Sequence, residues 1–470
     1  MARLHPTLEP FTPTSDEPFD STKVAHLLHR AGFGATLDEI ELYKTLGPKR
    51  AAEKLLDFPE LAAEEQGSDV PDLSGIDGYP NNFAERRKLF EGKTPQERQD
   101  LNNMLQRANR EAVLATAQWW LKRMTAGPNP LQEKLTLFWH GHFTTSARDE
   151  RSAWLMWQQN ETLRRNAAGN FGTFVKQISR DPAMLDYLNN QQNRKGSPNE
   201  NYARELMELF TLGIGEYTEA DIKEAARAFT GWGHDGEAFL FRKSLHDAEK
   251  KKFFGLTGEF DGDDVIDIIL KRPECANYIA AKLFRFFAYE NVDPALLTSL
   301  GNVLREEKYE LRPTLFTLFT SKAFYSPAAI GTQIKSPVHL ITSGARLMGM
   351  DTPTKIPVMG VLEQMGQVPL NPPNVKGWPG GRSWINTSTL FVRYNTSVAM
   401  VGRIPEKELR PAGAKSNSEI VDHWLARLIQ RPVVEEKRKT LETELGSRPD
   451  NAAIRRMIEL IVSMPEYQLC

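Results

Sequence analysis

The sequence predicts a mostly α fold: a large multi-helix, bundle-like domain with one small β-hairpin and a long ordered loop rich in Pro, Gly and Trp. Three observations lead there. Apolar residues recur at helical spacing along most of the chain, punctuated by capping and stop residues. Only one stretch, AFLFRKSLHDAEKKKFFG, carries short aromatic runs of strand length. Apolar residues make up 40% and charged residues 26% of 470, values of an ordinary soluble globular protein large enough for a substantial core.

The elements follow in order. Residues 1–20 read as an extended tail. Ser21 is a plausible N-cap for a helix over 21–30 that buries Val24, Leu27 and Leu28 and stops at Gly32. Short helices are expected at 37–46 and 50–58. From about 60 to 98 the chain turns acidic and rich in turn residues, then strongly charged, the mark of an exposed insertion. A long helix should run from Pro95 to Met124, with further helices at 130–140, 147–165, 172–180 and 182–189. Ser197-Pro198-Asn199 opens another through Leu212, and Thr218 to Asp221 resembles a capping box. In the exceptional segment, the two aromatic runs pair as a hairpin with His246-Asp247 in its loop. Helices return at 263–270, 274–287, 294–306, 312–320, 336–348 and 357–365. The loop 368–386 is too long to be a mere connection, and from about 405 to 470 a C-terminal helical subdomain follows the main domain of 21–400.

Composition excludes several functions. Lys and Arg total 59 against 61 Asp and Glu, a net charge of -2, so no basic excess points to nucleic acid. No apolar run reaches membrane-spanning length. The first residues lack an apolar signal core, which makes the cytoplasm the expected compartment. Two cysteines, Cys275 and Cys470, cannot build a disulfide scaffold or a cysteine-rich metal site. There is no HExxH, no Walker A loop, no GxGxxG and no GxSxG, so zincin, nucleotide, dinucleotide and α/β-hydrolase chemistry lack their motifs.

The motifs that remain are polar residues in helical surroundings. In Phe138-Trp139-His140-Gly141-His142-Phe143, two imidazoles converge if the helix ends at Gly141, and neutral imidazole is a common metal ligand. The alternative is two half-buried, hydrogen-bonded helix-end histidines packed between Trp139 and Phe143. In NENYARELMELF, Asn201, Glu205 and Glu208 share one helical line beside the apolar stripe of Tyr202, Leu206 and Leu209. Such a line suits a metal site or a general base, or else a solvated acidic edge paired with Arg204 and Arg227. His246, ahead of Lys250, Lys251 and Lys252, could serve as a third ligand or a proton shuttle. Arg30 at a helix end, Lys376 and Trp378 on the long loop, and Arg393 are candidates to hold a polar or anionic substrate.

The segments HLLHRAGFGAT, LTLFWHGHFTTS, NENYARELMELFTLGIGEYTEADIKEAARAFTGW, HDAEKKKFFG, KSPVHL and GWPGGRSWINTSTLFVRYN stand in the order found in one bacterial family. From about residue 22 to 400 the chain closely resembles the "domain of unknown function 1800". The resemblance places His140, His142, Asn201, Arg204, Glu205, Glu208, Arg227, Trp232, His246 and Trp378 in family motifs. It also implies a partner, the "domain of unknown function 1501" family, which looks like the sulfatase and alkaline-phosphatase fold. Many relatives carry an export signal.

Two functions are therefore expected. In the first, His140, His142, His246 and Glu205 bind one divalent ion (Zn, Fe, Mn or Cu), with Glu208 as general base, in a hydrolytic or oxidative enzyme. Here Arg30, Asn201, Arg204, Lys376, Trp378 and Arg393 hold the substrate. In the second, the protein is a non-catalytic helical partner of the phosphatase-like neighbour. Metal-free acid–base catalysis by Glu205 with His246 is a further option.

Overall fold

The computed structural model describes residues 4–63, 65, 70–71, 82–150, 152–350 and 357–470. Helices dominate, joined by two short antiparallel hairpins. Among the described residues, no helix is long and apolar enough to cross a membrane.

Capping sets the helix starts. The first helix spans Ser21–Arg30 as expected, but its cap lies one position earlier: Asp20, not Ser21, accepts from the Lys23 N–H. The next pair of expected helices fills Leu37–Leu56, two helices meeting at a kink at Gly47, whose φ of 73° admits no helical turn and which is followed by Pro48. Thr36 with Glu39 and Thr94 with Glu97 form reciprocal capping boxes, the second opening the long helix Pro95–Ala126. The expected helix at 147–165 divides into Ala147–Glu150 and Ala153–Arg165. The acidic part of the charged insertion, at 64, 66–69 and 72–81, lies outside the described residues, and its basic half folds as the helix Phe83–Phe90. From residue 4 to Ser21 the chain carries one 3-10 turn, Pro6–Leu8, and is docked: Leu8, Phe11 and Phe19 are buried, and the Phe11 N–H donates to the Thr320 carbonyl at 2.7 Å.

The two aromatic runs do not pair with each other. Phe239–Phe241 turns back onto Trp232–His234, and Lys251–Phe253 pairs forward with Leu256–Gly258. Local turn chemistry decides this. Phe254 and Gly255 both hold positive φ, as a tight two-residue hairpin requires. The Asp235 carboxylate accepts from the Glu237 and Ala238 N–H groups in the other turn. His246 therefore sits between two hairpins, after the 3-10 turn Lys243–Leu245.

The described residues form two hydrophobic cores. One gathers the helices up to about residue 325; the other unites Trp119, Trp120 and Met156 with residues 338–467. Helix Pro130–His142 contributes to both, with Leu135 and Trp139 in the first and Leu137 in the second. The loop 368–386 is ordered through the 3-10 turn Gly381–Trp384 and buried Trp384.

Candidate functional site

The segment NENYARELMELF is helical, but not in the regular way expected. It starts at Asn201, leaving Pro198 outside, runs as α-helix to Glu205 and continues as a π-helix over Leu206–Thr211. A π-turn holds an extra residue, widens the helix and is enriched at functional sites. Its outer carbonyls are recruited by neighbours: that of Leu209 accepts from the Tyr278 hydroxyl at 2.9 Å, and that of Phe210 lies 3.0 Å from His142 Nε2.

Glu205 and Glu208 flank this junction. The Glu205 carboxyl is half-buried and, among the described residues, receives no hydrogen bond and no ion pair. Burial raises its pKa above the usual carboxylate range, the negative charge of Glu208 raises it further, and Lys376 and Arg204 oppose that rise. Glu208 is instead anchored, accepting from the Tyr217 hydroxyl at 2.7 Å. Burial, followed by the charge of Glu208, pushes the Tyr278 hydroxyl up to about 12. The Tyr187 hydroxyl is likewise raised by burial, then by Asp149 and Glu205. Two carboxyls thus stand in unlike environments, one half-buried and unpartnered, the other hydrogen-bonded to a phenol. Sequence reading missed the three tyrosines, because a tyrosine in a helix, like Tyr187 and Tyr278, or in a bend, like Tyr217, is indistinguishable from a packing residue until its neighbours are known.

Lys376 reaches this site through a close backbone approach. Gly377 holds a φ of 79°, and a Cβ there would lie 2.2 Å from the Gly141 carbonyl oxygen. Trp378 covers Gly141 from the same loop, and its ring stands 5.5 Å from that of His140. The last turn of Pro130–His142 is therefore the seat of the long loop.

The two histidines of that turn diverge. The helix does not end at Gly141 but continues to His142, and positions two apart in a helix point to nearly opposite sides. His140 faces Trp120 and Trp378; neither ring nitrogen has a hydrogen-bond partner, and burial depresses its pKa to about 3. His142 packs among Phe138, Trp139 and Phe143 and is held neutral by burial and the charge of Lys282. His246 is elsewhere, its Nδ1 donating to the Thr230 carbonyl at 2.9 Å beside the Phe241 ring. Among the described residues no group of three or more His, Cys, Asp or Glu is placed to hold a metal ion. The four side chains expected to share one ion are not brought together.

The remaining expected residues divide. Asn201 is exposed. Arg204 is engaged by Glu219, two contacts of 2.8 Å, and by Glu200. Arg227 clamps Asp247, Lys251 is buried against the carbonyls of Asp247 and Glu249, and both serve the hairpins. Arg30 and Arg393 are buried in a separate polar nest and exert no charge effect on Glu205. A cleft of about 780 Å³ holds none of the expected residues. Arg86, Arg110, Arg148, Asp186, His234 and Asn371 are among its walls, and Arg148 and Asp186 are the chain neighbours of Asp149 and Tyr187.

A family described as "Protein of unknown function (DUF1800)" matches residues 26–469. No curated protein and no solved structure matches the chain.

Proposed function

This chain belongs to the DUF1800 family, and we propose that it is an acid–base enzyme of hydrolytic type in which Glu205 and Glu208 carry the chemistry on a polar or anionic substrate. One observation supports this above the rest: the unpartnered, half-buried carboxyl of Glu205 beside the hydrogen-bonded carboxylate of Glu208. Partial burial favours the protonated form of a carboxyl, and pairs of carboxyls in unlike environments can divide the acid and base roles between them. In this reading Glu205 keeps a proton and donates it to the leaving oxygen. Glu208, oriented by Tyr217, accepts the proton of the attacking water. Lys376 draws the anionic group toward the pair, and the arginine-walled cleft next to Asp149 and Tyr187 receives the rest of the substrate.

The test is a screen of chromogenic esters, glycosides and phosphate esters with the purified protein, repeated with Glu205→Gln. The expected result is turnover that falls by about a hundredfold or more in the variant, the usual scale of a lost general acid. Its high-pH limb should lie above that of an ordinary carboxyl. Turnover unchanged in Glu205→Gln overturns the assignment. Turnover lost to a chelator and in His140→Ala, with metal bound stoichiometrically, transfers it to a metal-dependent reaction.

A further inference from the structure

The arginine-walled cleft of about 780 Å³ has two unlike ends, set by the order of residues along one helix. The face of Pro95–Ala126 that lines it runs from Asn102 to Ala117, about 22 Å of helix axis. Apart from the buried Leu105, its first half presents Asn102, Gln106, Asn109 and Arg110, all able to hydrogen-bond. Its second half presents Val113, Leu114 and Ala117. Leu114 is 43% exposed, and Val113 and Met359 lie partly buried against the second core. The polar end and the apolar end are thus parts of one trough.

Cations reach this trough from three separate elements. Arg86 comes from Phe83–Phe90, Arg110 from the long helix and Arg148 from Ala147–Glu150. A solvated charge run would instead put them on one helix face. The whole chain carries a net charge of -2, so the excess is local. Among the described residues the Arg110 side chain has no hydrogen bond or ion pair. Arg86 lies over the Phe90 ring, and Arg148 meets Glu363 at 3.2 Å in an exposed pair that adds little in water. Asp186 is the one carboxylate among the described residues of the walls, and it stands against a buried imidazole rather than an arginine. His234 Nδ1 accepts from the Gly236 N–H at 3.0 Å, which leaves the ring proton on Nε2, 2.9 Å from Asp186. Three guanidiniums therefore face the trough with no carboxylate of its walls bound to them.

We propose that this cleft binds a small amphiphilic anion: a carboxylate or phosphate head held by Arg86, Arg110 and Arg148, and an apolar body laid along Val113, Leu114 and Met359. Guanidiniums clasp such heads through paired hydrogen bonds, and an alkyl body removes from water the apolar surface of the second half. The inference deepens the acid–base reading above and rests on it only in taking this ligand for the substrate.

The full chain is titrated by calorimetry with decanoate and decyl phosphate below their micelle concentrations, and with acetate, inorganic phosphate and decyl glucoside. One or both decyl anions should bind, the tighter of the two naming the head. The three controls, each lacking the body or the charge, should bind at least about tenfold more weakly. Arg110→Gln and Leu114→Gln alter exposed side chains, so each should keep a Tm close to that of the parent while weakening the decyl anion by about tenfold. The effect of Arg110→Gln should shrink as salt is added. Glu205→Gln should bind the decyl anion as the parent does, so turnover lost with binding intact bears on Glu205 and not on the cleft. Acetate, phosphate or decyl glucoside bound as tightly as the decyl anion overturns the proposal. So does binding of neither decyl anion, or undiminished binding in Arg110→Gln or in Leu114→Gln.

Discussion

Asp181 shows how burial converts one side chain into a pH-dependent property. It caps the helix Pro182–Tyr187 by accepting from the Met184 N–H at 3.1 Å and accepts from Gln159 Nε2 at 2.8 Å, yet burial pushes its carboxyl up to about 7. In the fold it keeps its proton until near neutrality, whereas unfolded it ionises near pH 4. Between those values the unfolded chain binds fewer protons, so stability falls as pH rises. Asp181→Asn retains a capping oxygen and should remove that slope, up to about 1.4 kcal/mol per pH unit. Tm measured from pH 4.5 to 7 checks it, and parallel curves for parent and variant reject the assignment. The candidate site was partly legible at this scale. Glu205 and Glu208 could be singled out by spacing alone, because carboxylates beside an apolar stripe are visible in a sequence. The unlike surroundings that divide them were not, since Tyr217 and Lys376 arrive from other segments. His140 and His142 illustrate the opposite error: adjacency in sequence suggested convergence, and one additional helical residue sends them apart.

Among elements, the contact between the long loop and the end of Pro130–His142 governs where Lys376 stands. Gly377→Ala must place a Cβ 2.2 Å from the Gly141 carbonyl in a left-handed conformation, and should cost about 2–4 kcal/mol. Gly141→Ala meets only the Trp378 ring at an ordinary 3.5 Å; a gain in helix propensity offsets any crowding, leaving stability within about 1 kcal/mol. Chemical denaturation of the two variants compares them directly, and equal losses would mean that the loop does not depend on this approach. Helices were largely readable here because caps and periodicity are local signals. The hairpins were misread because their partners are chosen by turn residues, Asp235 and Phe254-Gly255, rather than by the aromatic runs themselves. The π-turn at Leu206–Thr211 has no comparable local sign, for its apolar spacing over six residues is compatible with either helix.

For the whole molecule, the Glu133 network ties three helices into one body. Its carboxylate, fully buried, accepts from Arg123, Arg164 and the Trp120 indole at 2.9 Å, while Arg164 also pairs with Glu161. The two guanidiniums hold the Glu133 carboxyl below its usual range against the opposing effect of burial. Glu133→Leu would strand two buried guanidiniums and should lower the unfolding free energy by about 3–5 kcal/mol. A urea midpoint unchanged in that variant would show the network to be dispensable.

Sequence by itself determined the mostly α class, the order of the helices, family membership and the polar motifs worth following, because caps, periodicity and residue order are written locally. Only the tertiary structure decided which of those motifs meet. HLLHR, KSPVHL and the arginine of LFVRYN are buried in one region, while Lys376, just before GWPGG, acts on Glu205 of NENYARELMELF in another. Burial and pairing depend on chain crossings hundreds of residues apart, and no local spacing encodes them.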